Sequence, residues 1–144
     1  MIILAMVFTC GFSDTAPTGL WTKYTAADGS FSFHYPKEWE VIANESAVSI
    51  DNAKTDEQLM MAMIPYDKDK SPAVMANDFI ALLKKSNPNI QASNWQTDPK
   101  TGGSQVIFDL SDKIDKKQYN GSGIVIKDGQ QAIWFSYTAP AAVC

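Results

Sequence analysis

Residues 118–140, QYNGSGIVIKDGQQAIWFSYTAP, decide the fold. Asp128-Gly129 suits a two-residue hairpin turn, because that pair adopts the required positive φ angles at little cost. Apolar residues alternate on both sides of the turn. Pairing Lys127 with Gln130 places Ile124 opposite Ile133 and Gly123 opposite Trp134. One face then holds Ile124, Ile126, Ile133, Phe135 and Tyr137. The other holds Gly121, Gly123, Val125, Ala132 and Trp134. Both faces are apolar, so both should be covered. A glycine facing a tryptophan leaves room for the indole to lie across the strand.

Upstream, SQVIFDL (104–110) and IQASNWQ (90–96) have strand character, with TDPKTGG as a loop between them. SDKIDKK (111–117) has the composition of a charged surface connection. LMMAMIPY (59–66) is a continuous apolar run, short enough for a strand buried on both faces. AVSID (47–51) is a shorter strand, and NAKTDEQ a polar turn.

One helix is clear, over about 72–86. Ser71 is a good N-cap and Pro72 suits the first helical position. Met75, Phe79, Leu82 and Leu83 fall on one stripe with Val74 beside it. Lys84 and Lys85 suit the negative C-terminal end of the helix, and Ser86-Asn87-Pro88 stops it.

Nearer the start, GSFSFHYPKEWEV (29–41) alternates Phe31, Phe33 and Tyr35 with Ser30, Ser32 and His34, as in a half-buried strand. Pro36 ends that strand because proline has no N–H for the ladder. Lys37-Glu38 then make a turn, and Trp39 closes over the core. LWTKYTAADG (20–29) leads in and ends in a turn at Asp28-Gly29.

The chain has 144 residues and a formal charge of −4, and all twelve of its basic residues are lysine. The lack of arginine counts against nucleic acid as a partner, since arginine forks read guanine and phosphate. An acidic surface is repelled by anionic lipid headgroups, so contact with a membrane should come from an anchor. The apolar run MIILAMVFT is too short to span a bilayer and has the look of the end of a secretion signal. Cys10 closes that run and a small polar linker follows. Residues 1–19 are therefore expected to be a signal or lipoprotein-like segment with Cys10 lipidated, and 20–144 to be one domain.

No catalytic constellation is visible. His34 is the only histidine, and with two cysteines at opposite ends of the chain it does not make a zinc site. Neither metal nor cofactor is expected. Asp67 and Asp69 belong to a solvated loop, and Asp109, Asp112 and Asp115 to a charged surface. Trp21, Tyr24, Trp95 and Tyr119 are the candidate binding residues, because aromatics anchor interfaces.

With these residues in place the chain resembles the PsbP-like superfamily, and especially its bacterial secreted and lipoprotein members. The residues that carry the resemblance are GSFSFHYPKEW, the helix from Ser71, and the closing GIVIKDGQQAIWFSYTAP. The resemblance implies an α+β fold, a mostly antiparallel sheet packed by helices on its faces in an α/β/α sandwich, shared with a eukaryotic Ran-binding protein. It implies no enzymatic chemistry. It points to an accessory or binding domain of the cell envelope or periplasm, lipid-anchored and engaging a protein or small ligand. Family chains continue past YTAP into a C-terminal helix, whereas this one stops at Cys144, so either the sequence is a fragment or a partner covers that face. Self-association through an uncovered sheet face is the alternative function, and an aspartate-dependent hydrolase or metal-binding protein a further one.

Overall fold

The computed structural model describes residues 2–4 (by backbone alone), 21–29, 31–43, 47–97 and 99–141. Cys10 and Cys144 lie outside the described residues. Ten strands run β1 (Ile2–Leu4), β2 (Trp21–Thr25), β3 (Phe31–Pro36), β4 (Glu40–Ala43), β5 (Ala47–Asn52), β6 (Glu57–Ile64), β7 (Gln91–Thr97), β8 (Gln105–Ile114), β9 (Lys117–Asp128) and β10 (Gln131–Pro140). Helix α1 (Pro72–Leu83) lies between β6 and β7. Seven strands form one sheet in the order β4-β5-β6-β10-β9-β8-β7, each neighbour antiparallel. A smaller sheet has the order β1-β3-β2, with β1 parallel to β3. The fold is thus α+β with a mostly antiparallel sheet.

The β9–β10 hairpin is central, as its two apolar faces require, but its register differs from the expected one. Asp128 pairs with Gln131, so Gly129 and Gln130 form the turn. Gly129 has a φ of 58° and Gln130 does not share the positive sign, which suits a turn with glycine at its first central position. Ile126 consequently faces Ile133, Val125 faces Trp134 and Gly123 faces Ser136. The slip is two residues, a full period of the pleat, so every side chain keeps its expected face. Lys127 locks this end down: its Nζ donates to the carbonyls of Lys68 (2.8 Å) and Lys70 (2.7 Å), in the loop before α1.

Each face of the large sheet has its own core. On one, Phe108, Val125, Ala132 and Trp134 pack with Met75, Ala76 and Ile80 of α1. On the other, Val48, Ile50, Leu59, Met61 and Ile133 pack with Phe31, Phe33 and Trp39. Each Val, Leu, Ile, Met or Phe side chain buried in this way contributes about 1.5–3 kcal/mol, and each alanine methyl less. Among the described residues the second face is covered by the small sheet, and the expected packing of helices on both faces is not shown among them. Phe31 and Phe33 supply the physical reason. Their alternation gives β3 an apolar face that can cap a sheet as well as a helix would. In the opening of that layer, β3 pairs its Pro36 with Trp21. The Trp39 amide donates to the Pro36 carbonyl (3.0 Å), closing the turn at 37–38 and delivering a buried indole to the core.

Helix α1 begins as expected. Ser71 Oγ accepts from the Val74 amide at 3.2 Å. It ends at Leu83 rather than near residue 86, because the amides of Lys85 and Ser86 bond back to Leu82 and Leu83 three residues earlier and tighten the last turn. The buried stripe is also rotated. Ala76 and Ile80 face the sheet, while Val74 and Leu82 are 45% and 49% exposed. Ala76 is fully buried, and its small side chain lets the helix sit close to the large aromatics beneath it.

The segment 111–117 is not a connection. β8 runs through Ile114 and β9 starts at Lys117, so only Asp115 and Lys116 turn the chain. Both have positive φ (51° and 67°), as such a two-residue hairpin turn demands. Its lack of glycine hid it in the sequence.

Candidate binding cavity at the end of the helix

The extension of β8 matters because alternation then places Val106, Phe108, Leu110 and Asp112 on the helix side of the sheet. Where α1 ends, small side chains at Ser136 and Thr138, in phase with Trp134, leave space above the strands. The result is a cavity of about 170 Å³. Its apolar walls include Met60, Leu83, Ile90, Leu110 and Trp134, and three acids, Asp51, Asp56 and Asp112, also line it, with Glu57 bordering it while its carboxylate turns to Tyr137 on the other face. A second hollow of about 220 Å³, lined by Asn89, Gln91, Lys113 and Gln118, shares Ser111 and Asp112 with the first.

The four acids are held differently. Asp56 sits at the β5–β6 turn with a φ of 63°. It reaches across the end of β10 to Tyr119, whose hydroxyl donates to Asp56 Oδ2 at 2.5 Å, and Lys117 Nζ donates to the same oxygen at 3.1 Å. The Tyr119 hydrogen bond, and then that of Lys117, hold the Asp56 carboxyl below its usual range. The same bond raises the Tyr119 phenol, since it favours the protonated form. Asp51 Oδ1 accepts from Ser49 Oγ at 2.9 Å. Asp112 is 7% exposed, and its Oδ1 accepts from the Lys113 amide at 2.8 Å. Its Oδ2 has no hydrogen-bond partner among the described residues.

Glu57 is buried and doubly bonded. Its Oε1 accepts from Thr55 Oγ1 (2.7 Å) and its Oε2 from the Tyr137 hydroxyl (2.6 Å). Burial first, then the bond to Glu57, holds the Tyr137 phenol well above the ordinary tyrosine range. A proton retained by the native state but lost by the unfolded chain makes stability fall as pH rises. This contribution is intact below about pH 10, where an unfolded tyrosine begins to ionise. Above it, the wild type should lose up to about 1.4 kcal/mol more per pH unit than Tyr137→Phe. Urea unfolding of both proteins at pH 9, 10 and 11 checks this, with Tyr119 acting equally in each; parallel pH profiles would refute it.

Of the expected binding residues, Tyr119 alone lines this cavity. Trp95 packs on Phe108 with ring centroids 4.6 Å apart. Tyr24 lies on the opposite face against Phe31 and Phe33, at 6.1 and 5.4 Å. Trp21 is half-buried in β2. The sequence reading missed Asp51, Asp56, Glu57 and Asp112 as a group. For Asp112 the signal was present in the alternation that continues from Leu110, read instead as surface charge.

Among the described residues no three His, Cys, Asp or Glu side chains come together at metal-ligand spacing. His34 is exposed on β3, opposite Lys23. Asp67 accepts from the Asp69 amide (2.8 Å) in the loop before α1, and Asp109 accepts from Asn94 Nδ2 (2.6 Å) on an exposed position of β8. The aspartates of a hydrolytic site are thus spread over separate surroundings.

The fold and cavity together define a small α+β domain with an acid-lined pocket beside its helix. That fold is shared with the Ran-binding protein Mog1p of Saccharomyces cerevisiae, at a TM-score of 0.62 and 8% identity, over 83% of this chain and 77% of that one. It is also shared with PA94 of Pseudomonas aeruginosa, a protein of unknown function, at a TM-score of 0.53 and 12% identity, over 87% and 86% of the two chains. A structure from Bacteroides thetaiotaomicron matches at 0.53 and 15% identity, over 85% of this chain and 42% of that one. No protein-family model and no curated protein matches the sequence.

Proposed function

We propose that this chain is a PsbP-like binding domain of the bacterial cell envelope, tethered by a lipid on Cys10, that engages its ligand without transforming it. The helix-side cavity carries the reading. It is concave and largely apolar, with a few polar groups that converge on it, which is the common form of a ligand site. The similarity in fold to a protein whose name records Ran binding supports a binding role. The separation of Asp67, Asp69, Asp109 and Asp112 disfavours the hydrolytic alternative.

A fragment screen by amide NMR tests the site. Hits should move the resonances of Leu83, Asn87, Ile90 and Ser111 together. Hits that cluster elsewhere, or none at all, would remove the cavity as the site. The tether is tested separately in a bacterial host fed radioactive palmitate. The wild-type chain should take up label and Cys10→Ala should not; an unlabelled wild type, or equal label in both, would discard the anchor.

A further inference from the structure

We infer that the cavity at the end of α1 is a receptor for an alkylammonium group, an aliphatic stem of about five carbons whose cationic end meets Asp112. The inference rests on the binding reading above and adds the chemistry of the ligand.

A buried carboxylate with a free oxygen is costly, and a cation supplied from outside would relieve that cost. Asp112 is in this state: it is 7% exposed, its Oδ1 is bonded to a backbone amide, and its Oδ2 is without a partner among the described residues. No described lysine forms an ion pair with it; Lys70 pairs with Asp78 and Lys117 with Asp56. The neighbouring charges have the same sign. Asp51 also lines the space without a cationic partner, while Asp56 is compensated by Lys117 and the Glu57 carboxylate turns to Tyr137 on the other face of the sheet. No lysine lines this cavity among the described residues. An anion would therefore be repelled, and a neutral ligand would leave Asp112 as it is.

Size sets the rest of the ligand. An apolar cavity of about 150 Å³ holds a benzene molecule, or six heavy atoms. At about 170 Å³ the space here suits a stem of five carbons and one nitrogen, lying against Met60, Leu83, Leu110 and Trp134. A lysine side chain of a partner protein and a free primary amine share this chemistry.

The test is a calorimetric and NMR titration of the full chain with n-pentylammonium, pentan-1-ol and pentanoate at constant ionic strength. The amine should bind at least tenfold more tightly than the alcohol, and pentanoate should not bind. Asp112→Asn keeps the side-chain shape and the oxygen that accepts from the Lys113 amide, and should weaken the amine tenfold or more while leaving the alcohol unchanged. Equal affinity for amine and alcohol would overturn the inference, and so would an amine affinity unchanged in a folded Asp112→Asn. If that variant does not fold, the three-ligand series on the wild type decides alone. Nα-acetyl-lysine methylamide separates the sources: its binding at the same resonances admits a protein lysine, and its exclusion while pentylammonium binds assigns a free amine. Fragment hits in the cavity with no preference for ammonium would sink this inference and leave the binding domain standing, whereas an empty screen would sink both.

Discussion

Gly123→Ala should lower the free energy of unfolding by about 3 kcal/mol, and Gly121→Ala by about 4 kcal/mol or more, which are large values for a single added methyl. At Gly123 a Cβ would fall within the ring of Phe108, against Cε2 and Cζ. That ring is fully buried and wedged between Trp95, at 4.6 Å between centroids, and Trp134, at 5.1 Å, so it has no space into which to turn. At Gly121 the Cβ would fall on backbone, against the Tyr137 carbonyl oxygen and 2.8 Å from Thr138 Cα. Side chains can repack and a paired strand cannot, so the two variants should respond differently to a second change. Adding Phe108→Leu should recover part of the loss in Gly123→Ala and none of the loss in Gly121→Ala, relative to Phe108→Leu alone. Urea midpoints followed by tryptophan fluorescence measure both cycles. Stability within 0.5 kcal/mol of wild type for either single variant, about the scatter of neutral surface substitutions, would mean that β9 does not hold this register.

The same hairpin shows how much was legible in the sequence. Alternation and a Asp-Gly pair are enough to identify two strands and to sort their side chains between faces. They do not fix the register, because a slip of one pleat period leaves the pattern unchanged. The glycine at 123 does make room for an aromatic, but the aromatic is Phe108 of β8, the neighbour on the side of β9 away from β10, and only the assembled sheet brings it there. The helix start was legible because Ser71 and Pro72 act locally. Its buried stripe was less so, since which of Val74, Ile80 and Leu82 faces inward depends on where the sheet lies. A strand such as β3 announces an apolar face without naming what that face meets. The hidden acids have the same origin. Charge within SDKIDKK outweighed an alternation that carried Asp112 inward, and Asp56 reaches Tyr119 across 63 residues of chain.

Trp134→Ala should cost about 4 kcal/mol, and Trp134→Phe only about 1–2 kcal/mol. The indole is fully buried between Phe79 of α1 and Phe108 of β8, with centroids at 4.9 and 5.1 Å. It therefore joins helix to sheet, and its removal loses both aromatic contacts and leaves a void next to an existing cavity. Its Nε1–H donates to Ser136 Oγ at 3.0 Å, also buried. Phenylalanine keeps the ring packing and gives up only that bond and some volume, which is why its cost is smaller. The two effects separate in the near-ultraviolet circular dichroism. Trp134→Ala should flatten the signal of the coupled aromatics, while Trp134→Phe should retain that of Phe79 and Phe108 in reduced form. If alanine at 134 cost less than about 1 kcal/mol, the helix could not be seated on this ring, because burying a large aromatic contributes more than that wherever it is packed on both sides. The wall of the cavity would then be mobile, and a pocket shaped to hold one stem could not persist beside it.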